Sequence, residues 1–274
     1  MIEITREKLH EIYYSRFNML HKFLTERGIN YYAIAGTLLG AIRNKGIIPW
    51  DNDMDIAMTR ENYNAFLKCA NELDNRYLKA INYKTNRYVE HSLTKICLVG
   101  VIRKNSRLSK KFDNHYHIDI FPIDHILCDE SKQNKIYKRV LKYRKILFIK
   151  SRALNNRNVL KRLYIFLMKL VYFPLSTTYI CKKYDQLVLS SNNSPNVNKD
   201  YFWTSGGIYS FEKELHKAST YGIPKICTFG SNVICIPSDP HQYLIDTYGD
   251  DYMVPHNRTP NASFDCVLTD DFID

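Results

Sequence analysis

Apolar residues recur at roughly helical spacing through residues 4–27. Ile4, Leu9, Ile12, Tyr13, Phe17, Leu20 and Leu24 share one face, and Gly28 is the expected stop. The period then shortens. Residues 31–35 (YYAIA) read as a strand, GTLLGAIR opens a short helix, and NKG at 44–46 reads as a turn. MDIAM at 54–58 is a strand, and Thr59 is the expected N-cap of the helix that follows. Two further strands are predicted at 93–103 and 116–124, with Pro122 ending the second. From 131 to about 190 basic, apolar helices replace strands, and 191–200 reads as a surface loop. A hairpin is expected around Gly230-Ser231, and a short helix at 239–249 between Asp239 as N-cap and Gly249 as stop. The pattern is α+β, in a single domain. It predicts a mixed core in residues 1–125, a basic helical insertion at 131–200, and a C-terminal lobe at 201–274 packed back on the core.

Composition adds a sign and a compartment. A chain of 274 residues that is 45% apolar can bury a substantial core. Its formal net charge of +11 points to an anionic partner: nucleotide, nucleic acid, anionic lipid or acidic glycan carrier. The cysteines number seven and show no C-x-x-C spacing, which argues for reduced thiols and against a structural zinc site. No apolar leader opens the chain, and the longest apolar run, 163–175, contains Lys169 and is too short to span a bilayer. A cytoplasmic location is expected, with any membrane contact at the inner face. There the Asn261-Ala-Ser263 sequon would be irrelevant.

The chemistry starts at IPWDNDMDIAM. Asp51, Asp53 and Asp55 occupy alternate positions leading into the strand, so an early strand start would converge them on one face. Converging carboxylates repel one another, and a hard cation such as Mg²⁺ or Mn²⁺ removes the conflict. Taken alone, the stretch reads more readily as a solvated turn. Neighbouring features change the balance. Gly36-Thr37 sits at a strand-to-helix turn, which presents N–H groups and a hydroxyl to a phosphate. Arg43 and Lys45 could hold an anionic leaving group, or be ordinary surface cations. Asp119 lies inside the apolar strand HIDIF, an expensive place for an acid unless it is paired or metal-bound. Trp50, beside the aspartates, is placed to line a site, whereas Trp203 and Tyr209 read as packing residues.

The glycine turn, D-x-D and later single acid resemble the nucleotidyltransferase superfamily. The longer stretch AGTLLGAIRNKGIIPWDNDMDIAM resembles the signature of the LicD family of phosphorylcholine transferases and their fukutin-type relatives. HIDIFPID at 117–124 and IPSDPHQYLIDTYGDDYMVP at 236–255 resemble that family's second and C-terminal blocks, in its order. The resemblance implies a nucleotidyltransferase-like fold and a divalent-metal phosphotransferase. Catalytic and metal positions would be Asp53, Asp55 and Asp119, with Asp51 as an additional ligand. Phosphate would be bound by Gly36, Thr37, Arg43 and Lys45, and substrate by Trp50. The implied donor is CDP-choline or another CDP-alcohol carrying ribitol, glycerol or ethanolamine. The implied acceptor is a glycan such as teichoic acid, lipopolysaccharide or capsule precursor, lipid-linked in many relatives. A true nucleotidyltransferase releasing pyrophosphate is the rival enzyme. Nucleic acid is not an expected partner, because the carboxylates would repel it unless metal were present.

Overall fold

A computed structural model describes residues 1–154, 158–255 and 264–274; the Asn261–Ser263 triplet lies outside them. In chain order the first half comprises β1 (Ile2–Glu3), α1 (Arg6–Glu26), β2 (Tyr32–Ala33), α2 (Ala35–Leu39) continued by a π-helical turn (Gly40–Asn44), β3 (Met54–Thr59), α3 (Arg60–Cys69), β4 (Leu78–Ile81), β5 (Thr94–Arg103) and β6 (His115–Leu127). Three helices follow: α4 (Glu130–Ser151), α5 (Val159–Val171) and α6 (Thr177–Asn192). The remainder is β7 (Val197–Trp203), β8 (Leu215–Lys217), α7 (Ala218–Tyr221), β9 (Lys225–Phe229), β10 (Asn232–Ile236), α8 (Pro240–Tyr248) and β11 (Cys266–Leu268).

The architecture is α+β around a mixed sheet, consistent with a nucleotidyltransferase-like fold. Its main path runs β1-β11-β5-β6-β3-β2, with β4 on β5 and β7 joining β6 to β8. The β3–β6 pair is parallel and its neighbours are antiparallel. Period-two alternation along β3 drives Met54, Ile56 and Met58 into the core. The α1 stripe Leu9, Ile12, Tyr13, Phe17, Leu20 and Leu24 is buried in the same cluster. Each such side chain contributes roughly 1.5–3 kcal/mol of burial. The expected caps form: Thr59 accepts the Asn62 N–H, and Asp239 accepts the Gln242 N–H. Gly230-Ser231 is the two-residue turn of the β9–β10 hairpin.

Two boundaries differ from expectation. β6 does not stop at Pro122 but continues to Leu127. β5 pairs with β6 up to Ile120, and β7 takes over at Asp124. Pro122 falls in the gap between those partners, where a missing N–H breaks no ladder bond. The predicted loop at 191–200 shrinks, because α6 runs to Asn192 and β7 starts at Val197. β7 extends the sheet by pairing with the end of β6, and that tertiary contact outweighs the Asn-rich composition.

One polar network fixes the helices to the sheet. Arg60 at the start of α3 grips Asp124 of β6 through two hydrogen bonds, at 2.8 and 2.5 Å. The same guanidinium reaches Asp185 of α6 at 3.0 Å, and Tyr83 donates to Asp185 at 2.9 Å. Asn192 also donates to Asp124.

Candidate active site

A cleft of about 650 Å³ opens beside the β3–β6 pair. Asp51, Asp53, Asp55 and Asp119 all line it. Asp55 and Asp119 are directly paired in the parallel register, so they are same-face neighbours on adjacent strands. On the other side of Asp119 the antiparallel register places Lys95 of β5. Asp119 therefore sits between an acid and a base. His117, two residues earlier on the same face, brings its Nε2 to 3.4 Å from Asp119 Oδ1.

These neighbours divide the carboxyls. Burial raises the Asp55 carboxyl well above the usual range, and the charges of Asp53 and Asp119 raise it further. Burial, together with the charge and hydrogen bond of Asp53, pushes Asp51 up to about 8. Burial would raise Asp119 as well, but the His117 ring and Lys95 ammonium outweigh it and hold that carboxyl well below the usual range. Asp119 Oδ1 is nonetheless buried without a hydrogen-bond partner. A hard-oxygen donor set with two carboxyls raised by burial and, to a lesser extent, by their neighbours' charge, and one buried oxygen without a hydrogen bond, fits a divalent cation.

The aspartate segment is held from behind by α1. Tyr13 donates from its hydroxyl, which lies 3.1 Å from the Asn52 carbonyl and 3.0 Å from that of His117. His10 Nε2 meets the Asp51 carbonyl at 2.8 Å, and Arg6 donates to the Asn52 side chain at 2.9 Å. The acids thus stand on a braced turn. Gly36 approaches them so closely that a Cβ there would lie 2.8 Å from Asp51 Oδ2. Beside it Ala35, also lining the cleft, adopts a φ of 48°, a strained backbone for a residue with a side chain.

The other predicted residues fall in different places. Arg43 lines the cleft, donates to the Tyr252 carbonyl at 3.2 Å, and lies 5.9 Å from the Trp50 ring centre. Trp50 lines the cleft too. Thr37 is buried, and its hydroxyl accepts the Asp55 N–H at 2.8 Å, so it positions Asp55 and is not directed at a phosphate. Lys45 is exposed and is not among the cleft-lining residues. It closes the π turn with a φ of 58°, and its carbonyl accepts the Gly230 N–H.

The C-terminal region contributes Tyr209, Glu214, Tyr248 and Tyr252 to the lining. The Tyr209 and Tyr248 rings meet edge to face at 5.7 Å. Glu214 is buried, accepts the Tyr209 N–H at 3.0 Å, and is pushed up to about 7 by burial. Gly207 is required there, since a Cβ would overlap the Glu214 carboxylate. Tyr209, expected as a packing residue, packs against Tyr248 and also lines the cleft. Trp203 does pack, against Tyr137 and Phe211. Glu214, His117 and Lys95 escaped the sequence reading. Alternation in HIDIF could have flagged His117, but nothing local ties Glu214 to Asp51, Asp53 and Asp55 so far back in the chain.

All seven cysteines are free. Among the described residues, Cys97, Asp113 and His115 bring ligand atoms within 4.8 Å of one another, and no three of the cleft aspartates do so. That trio is already satisfied internally, with His115 Nδ1 3.0 Å from Asp113 and the Cys97 thiol donating to it at 3.6 Å.

Residues 28–159 match the family described as LicD/FKTN/FKRP, nucleotidyltransferase domain. The chain is 47% identical over 47 residues to the lipopolysaccharide cholinephosphotransferase LicD of Haemophilus influenzae, covering 17% of this chain and 18% of that protein. It is 51% identical over 41 residues to an uncharacterised protein of Rickettsia prowazekii, covering 15% of each chain. The matched stretches thus span less than a fifth of these curated relatives.

Proposed function

We propose that this chain, which carries a LicD/FKTN/FKRP-type nucleotidyltransferase domain over residues 28–159, is a metal-dependent phosphotransferase. In this reading it moves phosphocholine from CDP-choline to a hydroxyl of a cell-envelope glycan and releases CMP. The observation that carries the reading is the cleft, which is lined by four aspartates together with aromatic rings and one further carboxyl.

Asp51, Asp53, Asp55 and Asp119 would hold Mg²⁺ or Mn²⁺. When bound, the ion offsets charge on the diphosphate and on the departing CMP. The other roles belong to the chain itself. Gly36, without a Cβ, lets the Asp51 carboxylate close onto the start of α2, where a phosphate would be met. Arg43, aligned by the Tyr252 carbonyl, offsets diphosphate charge at the cleft edge. Asp119 stays anionic at neutral pH and orients the acceptor hydroxyl; its depressed carboxyl makes it a weak base. Trp50, Tyr209 and Tyr248 offer ring faces to a quaternary ammonium, and Glu214 supplies a nearby negative charge once such a cation is present. Burial of these groups strengthens each of these interactions over its value in water.

The test is product identity. Purified protein is incubated with Mg²⁺, a glycan acceptor, and CDP-choline, CDP-ethanolamine, CDP-glycerol, CDP-ribitol or CTP in turn. CMP release with CDP-choline, abolished by EDTA and by Asp53→Ala, is the expected result. CMP release with a different CDP-alcohol replaces the headgroup assignment. Pyrophosphate release from CTP would instead make the chain a nucleotidyltransferase. Thermal shifts with the same compounds provide a readout independent of the acceptor.

A further inference from the structure

An ordinary surface helix turns its apolar stripe inward, and α5 does the reverse. Its sequence, VLKRLYIFLMKLV, contains no buried residue. The half-buried positions are Ile165, Met168 and Lys169. Lys169 donates to the Arg152 carbonyl at 2.6 Å, and Lys150 of α4 donates to the Tyr172 carbonyl just past α5 at 2.9 Å. The helix is therefore fixed to the protein through a side that includes a lysine. Helical geometry then places Val159, Leu163, Leu167 and Leu170 on the side facing away. They are 62%, 51%, 50% and 56% exposed, and Phe173, just beyond the helix, is 81% exposed. Such a continuous apolar stripe in water marks an interaction surface.

Charge identifies the occupant. From Ser131 to Tyr184 the chain has 15 Lys and Arg and no Asp or Glu. The rest of the chain carries slightly more acid than base, so the whole positive surplus lies on the segment that presents the stripe. Lys161 and Arg162 are exposed on α5 itself. An apolar face on a helix of 13 residues, flanked by Arg162 and carried by a strongly basic segment, matches an element lying in a bilayer interface, with side chains in the acyl boundary and nearby cations at anionic headgroups. No helix among the described residues is long and apolar enough to cross a membrane.

We infer that α5 is an in-plane membrane-docking helix specific for anionic lipid surfaces. This inference does not depend on the donor proposed for the cleft.

Flotation of the full chain with vesicles tests it. The vesicles are phosphatidylcholine alone or phosphatidylcholine with phosphatidylglycerol at about 3:1. The chain is expected to float with the anionic vesicles, less so in high salt, and poorly with phosphatidylcholine alone. The double variant Leu163→Glu, Leu167→Glu should lower partitioning by about tenfold or more. Both positions are exposed, so its melting temperature should be unchanged, which separates lost docking from lost folding. Lys161→Glu with Arg162→Glu should weaken binding to anionic vesicles only. Failure of the wild-type chain to float with anionic vesicles would overturn the inference. So would equal flotation of the Leu163, Leu167 variant. A wild-type dimer that this variant converts to monomer, without vesicle binding, would assign the stripe to a second copy of the chain instead.

Discussion

β6 carries two aspartates five residues apart, and the fold treats them in opposite ways. The odd separation directs Asp124 and Asp119 to opposite faces of the sheet. Asp124 is gripped by Arg60 and Asn192, with Asp185 and Tyr83 completing the network. Asp119 faces Asp55 across the parallel register, lines an open cleft, and keeps one buried oxygen without a hydrogen bond. Burying a charge is tolerable when it is neutralised and hydrogen-bonded on the spot. The first centre meets that condition within the protein. The second meets it only in part: His117 and Lys95 offset the charge of Asp119, but the neighbouring Asp51 and Asp55 carboxyls stay raised by burial and by one another's charge. A charge imbalance that the chain leaves unresolved in a cleft marks a site built for something outside the chain.

Breaking each centre should therefore give opposite signatures. The largest expected effect is on activity. Asp55→Asn should reduce CMP release by about a thousandfold or more while leaving the melting temperature of the metal-free protein unchanged or higher, since it removes like-charge repulsion. Parallel assays of turnover and thermal melting would check both halves, and a marked drop in melting temperature would erase the contrast. Next in size is Arg60→Ala. It strands Asp124 in the interior and should cost about 3–5 kcal/mol in urea denaturation, without altering cleft residues.

A smaller effect concerns pH. Glu214 is raised from 4.5 to about 7 by burial, so between those values the folded state holds a proton that the unfolded chain has released. Stability should then fall as pH rises from about 4.5 to about 7, by at most about 3 kcal/mol from this group. Glu214→Gln should flatten that part of the stability profile, and an unchanged slope would remove Glu214 from the account. Smallest is the ligand effect. Mg²⁺ at about a hundred times its dissociation constant should stabilise the wild-type chain by about 2.7 kcal/mol, and do almost nothing for Asp55→Asn.

Much of this was legible in the residues. Helical spacing marked α1, Thr59 and Asp239 marked the starts of α3 and α8, and Gly230-Ser231 marked the hairpin turn. Alternation predicted that Met58 and Ile56 turn inward, which leaves Asp55 on the other face of β3. These features depend on neighbours within a few positions, where steric and hydrogen-bonding preferences act directly. The limits of β6 and β7 were misread because pairing partners far along the chain set them.

By itself, then, the sequence determined the local elements, the run of acids on the approach to β3, and a basic middle segment that is free of acids from Ser131 to Tyr184. Tertiary structure alone decided what those features face. Parallel register put Asp119 beside Asp55, antiparallel register added Lys95, and α1 braced the turn between them. Folding also turned the Thr37 hydroxyl toward the Asp55 backbone, left Lys45 at the surface, and brought Tyr209 and Glu214 to the cleft. It likewise decided which side of α5 meets the protein and which meets solvent. The physical reason is the same in each case. Propensity and periodicity act over one or two turns of chain, whereas charge balance and burial depend on distances between residues that only the completed fold brings together.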